Sequence, residues 1–145
     1  MRWLRIEVIA VLLVGAACAG QPAARAPVPD PADADRLATL AAATLESDGG
    51  AAQSDTLFAQ DAEIIADGHR RSGSPRFAGV GKRGRVVVGS ARVDLVGGFA
   101  WAVLRYQWLS AEENIINEGQ ATLVLMRQPG TMSWRIVHAH SSQSH

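Results

Sequence analysis

The chain has 145 residues, 48% of them hydrophobic and 19% charged, with 14 basic side chains against 14 acidic ones. That balance excludes a disordered or fibrous chain and any global drive toward nucleic acid or acidic membranes. Cys18 is the only cysteine, which excludes an internal disulfide, a catalytic thiolate and a cysteine-bound metal in the folded part.

Residues 1–18 read as an export signal. Arg2 and Arg5 give a positive start, Ile6 to Val14 is apolar apart from Glu7, and Gly15-Ala16-Ala17 is small. The apolar run is shorter than the ~20 residues a spanning helix needs. Val14 to Cys18 resembles a bacterial lipobox, with Gly15 where leucine is usual. Two endings stay open: acylation of Cys18, or cleavage after Ala19. Residues 19–32 carry Pro22, Pro27, Pro29 and Pro31 among alanines and read as a semi-extended tether. The sequence thus implies an exported protein, either lipid-anchored to a membrane through Cys18 or free in the periplasm or outside the cell. Residues 33–145 remain for one domain, of a length that suits one core.

Asp33 to Asp48 is a helix, capped by Asp33 or Asp30, with Leu37, Leu40, Ala41, Thr44 and Leu45 on one face and Gly49-Gly50 at its end. Ser54-Asp55 opens a short second helix carrying Leu57 and Phe58. An extended segment, Ala62–Ala66, follows and turns at Asp67-Gly68. Residues 68–85 are glycine-rich and irregular, with Arg76–Val80 as a short strand. Strands are then expected at Arg85–Val96, Phe99–Leu109, Ile115–Arg127 and Ser133–Ser141, turning at Gly97-Gly98 and Pro129-Gly130. Two helices followed by mostly antiparallel strands specify an α+β fold, with N-terminal helices packed on one face of a curved sheet.

The run Trp134-Arg-Ile-Val-His-Ala-His-Ser-Ser142 resembles the final strand of nuclear transport factor 2-like (NTF2-like) proteins. SnoaL-like and DUF4440-like members, and the association domain of calcium/calmodulin-dependent protein kinase, are the relatives it is similar to. Leu57–Ile65, Phe99–Trp108 and Gly119–Arg127 match further pieces in order. The resemblance covers about residues 34–142 and implies a cone-shaped sheet around a cavity and dimerisation through the outer sheet face. It leaves activity open, because this fold hosts isomerases, dehydratases, hydrolases and plain assembly modules. The family's third helix is shortened or lost in 68–85.

Several side chains carry candidate chemistry. Arg105 stands in an apolar strand, where a charge needs a partner or a ligand. In the kinase association domain the matching arginine looks into the cavity. Arg105 is thus expected to hold a small polar or anionic ligand, or else to pair with Glu118, Asp67 or Glu63. If Arg105 faces inward, Tyr106 and Trp108 face a dimer partner. Trp101 shares the parity of Arg105 and is a cavity wall or core. Glu118 is a ligand contact or solvated. Alternation puts His138 and His140 on one face with Trp134 and Ile136, for ligand contact or a structural role. No cofactor or metal is implied, since no further ligands accompany the histidines.

Asp67 and His69 flank Gly68. In SnoaL-like enzymes such a pair acts as acid and base, and the bland reading is a solvated turn. Residues 69–92 hold His69, Arg70, Arg71, Arg76, Lys82, Arg83, Arg85 and Arg92 with no acid, which suits anionic headgroups or simply solvent. The reading favoured is a tethered small-molecule binding or homodimeric assembly module with no nucleic-acid partner. The alternative is a SnoaL-like isomerase or hydrolase.

Overall fold

The computed structural model describes residues 30–48, 57–110, 112 and 114–144. The signal, Cys18, most of the tether, Gly49-Gly50 and Ser54-Asp55 lie outside the described residues. Among those described, no helix is long and apolar enough to cross a membrane.

One helix, α1 (Pro31–Asp48), precedes six strands: β1 (Phe58–Ala66), β2 (His69–Arg70), β3 (Arg85–Val96), β4 (Phe99–Ser110), β5 (Ile115–Arg127) and β6 (Trp134–Gln143). They form one sheet in the order β2-β1-β6-β5-β4-β3. All neighbours are antiparallel except β1 and β6, which run parallel. The α+β expectation therefore stands, with an open, mixed sheet.

Asp30 caps α1: its carboxylate accepts the Ala32 N–H at 2.9 Å, ahead of Pro31 in the first helical turn. Asp33 instead reaches Arg127 at 3.3 Å, tying the helix start to the end of β5. The apolar face buries Leu37, Ala41, Thr44 and Leu45 against the sheet, over β3 and β4.

Two expected elements are corrected. Phe58 is not helical but opens β1, where it pairs with Ile136 of β6. Leu57, just before it, is helical, and the residues preceding it lie outside the described ones. Arg76–Val80 is not a strand. The N–H groups of Arg76, Phe77 and Ala78 are claimed by side chains and that of Val80 by the Phe77 carbonyl instead of a neighbouring strand, so it loops across the sheet and buries Phe77, Ala78 and Val80.

That loop is held by Asp48, the last residue of α1. Its Oδ2 accepts the N–H groups of Arg76 at 2.6 Å and Phe77 at 3.1 Å. The Ser74 hydroxyl donates to the Asp48 backbone carbonyl at 2.6 Å, and the Arg76 guanidinium lies 3.7 Å from Oδ1. The Asp48 side chain is 1% exposed. Burial raises its pKa above the ordinary 3.8, against the opposing pull of those N–H groups, Ser74 and the Arg76 charge.

Two bulges steer the strands. One falls in β3 between Val88 and Ser90, at Gly89. Val86 and Val88 face inward before it, and Ala91, Val93 and Leu95 after it, which explains why the apolar parity of this strand switches. The other falls in β6, where Val124 pairs with His138 but Leu125 pairs with Ile136.

Gly119 of β5 lies under Tyr106. A Cβ there would sit 2.4 Å from the ring's Cζ and 2.5 Å from the phenol oxygen. Gly119→Ala is expected to lower stability by about 1–3 kcal/mol, because a full core must move to admit one methyl. An unchanged urea midpoint would refute this. Asp48→Ala removes the acceptor of two N–H donors and the carboxylate beside Arg76, and is expected to cost about 3–5 kcal/mol by the same measurement. Because the Asp48 pKa is raised on folding, the folded chain binds more protons there than the unfolded one. The stability linked to its protonation is therefore fully present below the unfolded value of 3.8 and is lost as pH rises through the folded value. The difference in unfolding free energy between wild type and Asp48→Asn should change with pH in that window and stay flat above it.

Candidate functional site

Alternation along β4 divides the molecule. Ala100, Ala102, Leu104, Tyr106, Trp108 and Ser110 are buried beneath α1 and the loop, and every intervening side chain is exposed or half-buried on the opposite, outer face. The inner set fills the cone. Tyr106 is 3% and Trp108 4% exposed, packed with Phe77 and Val80. Gly81 and Gly84 leave room for the Trp108 indole, which comes within 2.5 Å and 2.7 Å of where their Cβ atoms would be. The Tyr106 hydroxyl donates to the Ala78 carbonyl at 2.6 Å, and Ser141 Oγ accepts the Ala78 N–H at 2.9 Å. Burial, reinforced by the charges of Asp67 and Asp48, pushes the Tyr106 phenol well above its ordinary value, so it stays a protonated donor.

Arg105 is accordingly placed on the outer face, not in the cone, and Tyr106 and Trp108 are interior rather than partner-facing. The register decides this: Arg105 sits across from Ser90 and Gln120, both exposed, whereas Tyr106 sits across from Val88 and Gly119. Trp101 is neither cavity wall nor core. It is 40% exposed on the outer face, its ring 6.5 Å from that of Phe99.

Glu118 does not pair with Arg105; its carboxylate accepts the Gln107 side-chain amide at 2.8 Å. The Arg105 side chain makes no hydrogen bond or ion pair with any described residue. Arg105, Gln107, Glu118 and Gln120 nevertheless line one depression of about 440 Å³ on the outer face, with Gly89 leaving it open on the β3 side.

The histidines also lie on the outer face. The β6 bulge separates them from Ile136, which stays in the core, so the expected four-residue face is corrected: His138 and His140 keep company with neither Ile136 nor Trp134. Trp134 packs against the core edge under the Arg127 guanidinium, 4.9 Å from its ring. His138 Nδ1 is 3.6 Å from Glu63, whose carboxylate also takes Arg70. That Arg70 contact, more than His138, lowers the Glu63 pKa.

Asp67 and His69 sit on the β1–β2 hairpin turn, with positive φ at Asp67 (49°) and Gly68 (76°). Asp67 Oδ1 accepts the Gln143 N–H at 2.9 Å, anchoring the end of β6, and His69 Nδ1 contacts the Asp67 carbonyl at 2.8 Å. The turn uses both residues locally. Among the described residues no three His, Cys, Asp or Glu side chains converge to hold a metal.

The acid-free run 69–92 is partly neutralised in space. Arg70 pairs with Glu63, Arg76 with Asp48, Arg83 with Glu112 at 3.5 Å and Arg92 with Asp94 at 3.1 Å. Glu63, Asp48 and Glu112 arrive from outside the run's own segments, whereas Asp94 stands two residues from Arg92 on the same strand. Asp48 and Ser141 were missed as organising residues. One signal was available for Asp48: an acid in a helix's last turn opposes the helix dipole and needs another reason to be there.

No family model and no curated protein matches the sequence. Solved structures do. A candidate ketosteroid isomerase from Parabacteroides distasonis superposes with a TM-score of 0.54 at 13% identity, over 74% of this chain and 85% of that one. An NTF2-like protein of unknown function from Shewanella baltica gives 0.53 at 16% identity, over 81% and 99%. A candidate calcium/calmodulin-dependent protein kinase II association domain from Xanthomonas campestris gives 0.53 at 18%, over 83% and 93%. Sheet order, pinned helix and these superpositions together give this chain the NTF2-like fold.

Proposed function

We propose that the chain is an exported, membrane-tethered assembly module that pairs with a second copy through its outer sheet face. The observation that carries this reading is the filled interior: Tyr106, Trp108, Phe77 and Val80 occupy the space in which a ligand would sit. An acid–base enzyme needs two titratable groups facing one open cavity. Asp67, His69, His138 and His140 lie on a turn and on the outer face instead. The neighbouring fold that is named for isomerisation and the one named for association are equally similar, so the site has to decide.

The outer face has what an interface core requires. Val96, Phe99 and Trp101 are 63%, 44% and 40% exposed on adjoining ends of β3 and β4. Large apolar groups clustered in this way mark contact surfaces. Strands β3 and β4 are 12 residues each and β5 is 13. Four strands of that length with β6 span about 40 Å by about 19 Å, close to the ~800 Å² per partner of a standard interface. Cys18 supplies the anchor and residues 19–32 the reach.

Trp101→Glu places a charge in the middle of the apolar cluster. Sedimentation of the detergent-extracted chain should show a dimer for wild type and a monomer for this variant, with unchanged circular dichroism. A monomeric wild type would sink the proposal. For the anchor, cells expressing the full chain should incorporate labelled palmitate into it, and Cys18→Ser should abolish the label; labelling that persists would rule out acylation at Cys18.

A further inference from the structure

The Arg105 depression gives the second copy a register. Arg105 faces Gln120 across β4 and β5, and Glu118 faces Gln107. Arg105 and Glu118 therefore occupy opposite corners of a four-residue rectangle, roughly 7–8 Å apart along the diagonal. They do not pair with one another: Glu118 is turned to Gln107, and Arg105 has no partner among the described residues. Both line the same depression, which Gly89 keeps free of a covering side chain.

A patch with a cation at one corner and an anion at the other is complementary to itself after a half-turn. A two-fold interface matches residue i to j and j to i. With the axis lying between two facing sheets and bisecting the line from Arg105 to Glu118, each arginine lies over the other copy's glutamate. We infer that two copies of this chain are held in register by a reciprocal pair of Arg105–Glu118 ion pairs, seated in the outer-face depression beside the Trp101 cluster. The inference rests on the assembly reading above and adds the residues that fix orientation. The apolar cluster supplies burial; the charges favour this alignment, because a slipped register separates each Arg105 from the other copy's Glu118.

The arrangement has a specific signature. Arg105→Glu alone sets four acids in two like-charged pairs, and Glu118→Arg alone does the same with bases. Each should weaken self-association about 10- to 100-fold. Copies carrying Arg105→Glu should pair with copies carrying Glu118→Arg, since both crossed pairs are then attractive. The full chain is expressed as two differently tagged copies, extracted in mild detergent and measured by co-purification and sedimentation. Both positions are exposed, and circular dichroism checks folding.

Loss in each single variant with recovery in the mixed pair supports the inference. Wild-type association by both single variants, or no association in the mixture, overturns it. The two proposals fail separately. A monomeric wild type ends the assembly reading. A wild-type dimer that Trp101→Glu dissociates and the charge swaps leave untouched ends only this one.

Discussion

Asp48 closes this fold. Its carboxylate gathers the N–H groups of Arg76 and Phe77 and lies beside the Arg76 guanidinium, which itself rests 4.7 Å over the Phe58 ring. One buried group thus joins the end of α1, the loop after β2 and the start of β1. The arrangement carries a penalty, because a buried carboxylate prefers to be neutral. Its role is geometric: without an acceptor at that point the loop would have no reason to lie across the concave face, and its buried N–H groups would go unpaired.

Because the loop lies there, the cone is full. Phe77 and Val80 descend onto Tyr106 and Trp108, and Gly81, Gly84 and Gly119 are small so that those two rings fit. The space beneath α1 and the loop is thereby occupied by buried side chains. Polar and aromatic groups without an internal use are left on the other side of the sheet, where Trp101, Phe99 and Arg105 stand.

Much of this was legible in the residues. Arg85–Val96 and Phe99–Leu109 followed from alternation about Gly97-Gly98, and the helix from the spacing of Leu37, Ala41 and Leu45. The errors have a common source. Alternation states which residues share a face but never which face is inside, and a bulge breaks even that: Ile136 and His138 share parity in sequence and not in space. Phe58 was read with a preceding helical cap, although its partner, Ile136, lies far along the chain.

The sequence by itself determined the α+β class, the strand boundaries around tight turns, the α1 core face and the division of β4 into one face with Tyr106 and Trp108 and another with Trp101 and Arg105, because these rest on periodicity and turn chemistry among near neighbours. Only the tertiary structure decided that Tyr106 and Trp108 lie within and Arg105 without, that Arg70, Arg76 and Arg83 meet Glu63, Asp48 and Glu112, and that Asp48 holds the loop. Those outcomes depend on which segments meet across the sheet, and such contacts join residues too far apart in the chain for any local pattern to record.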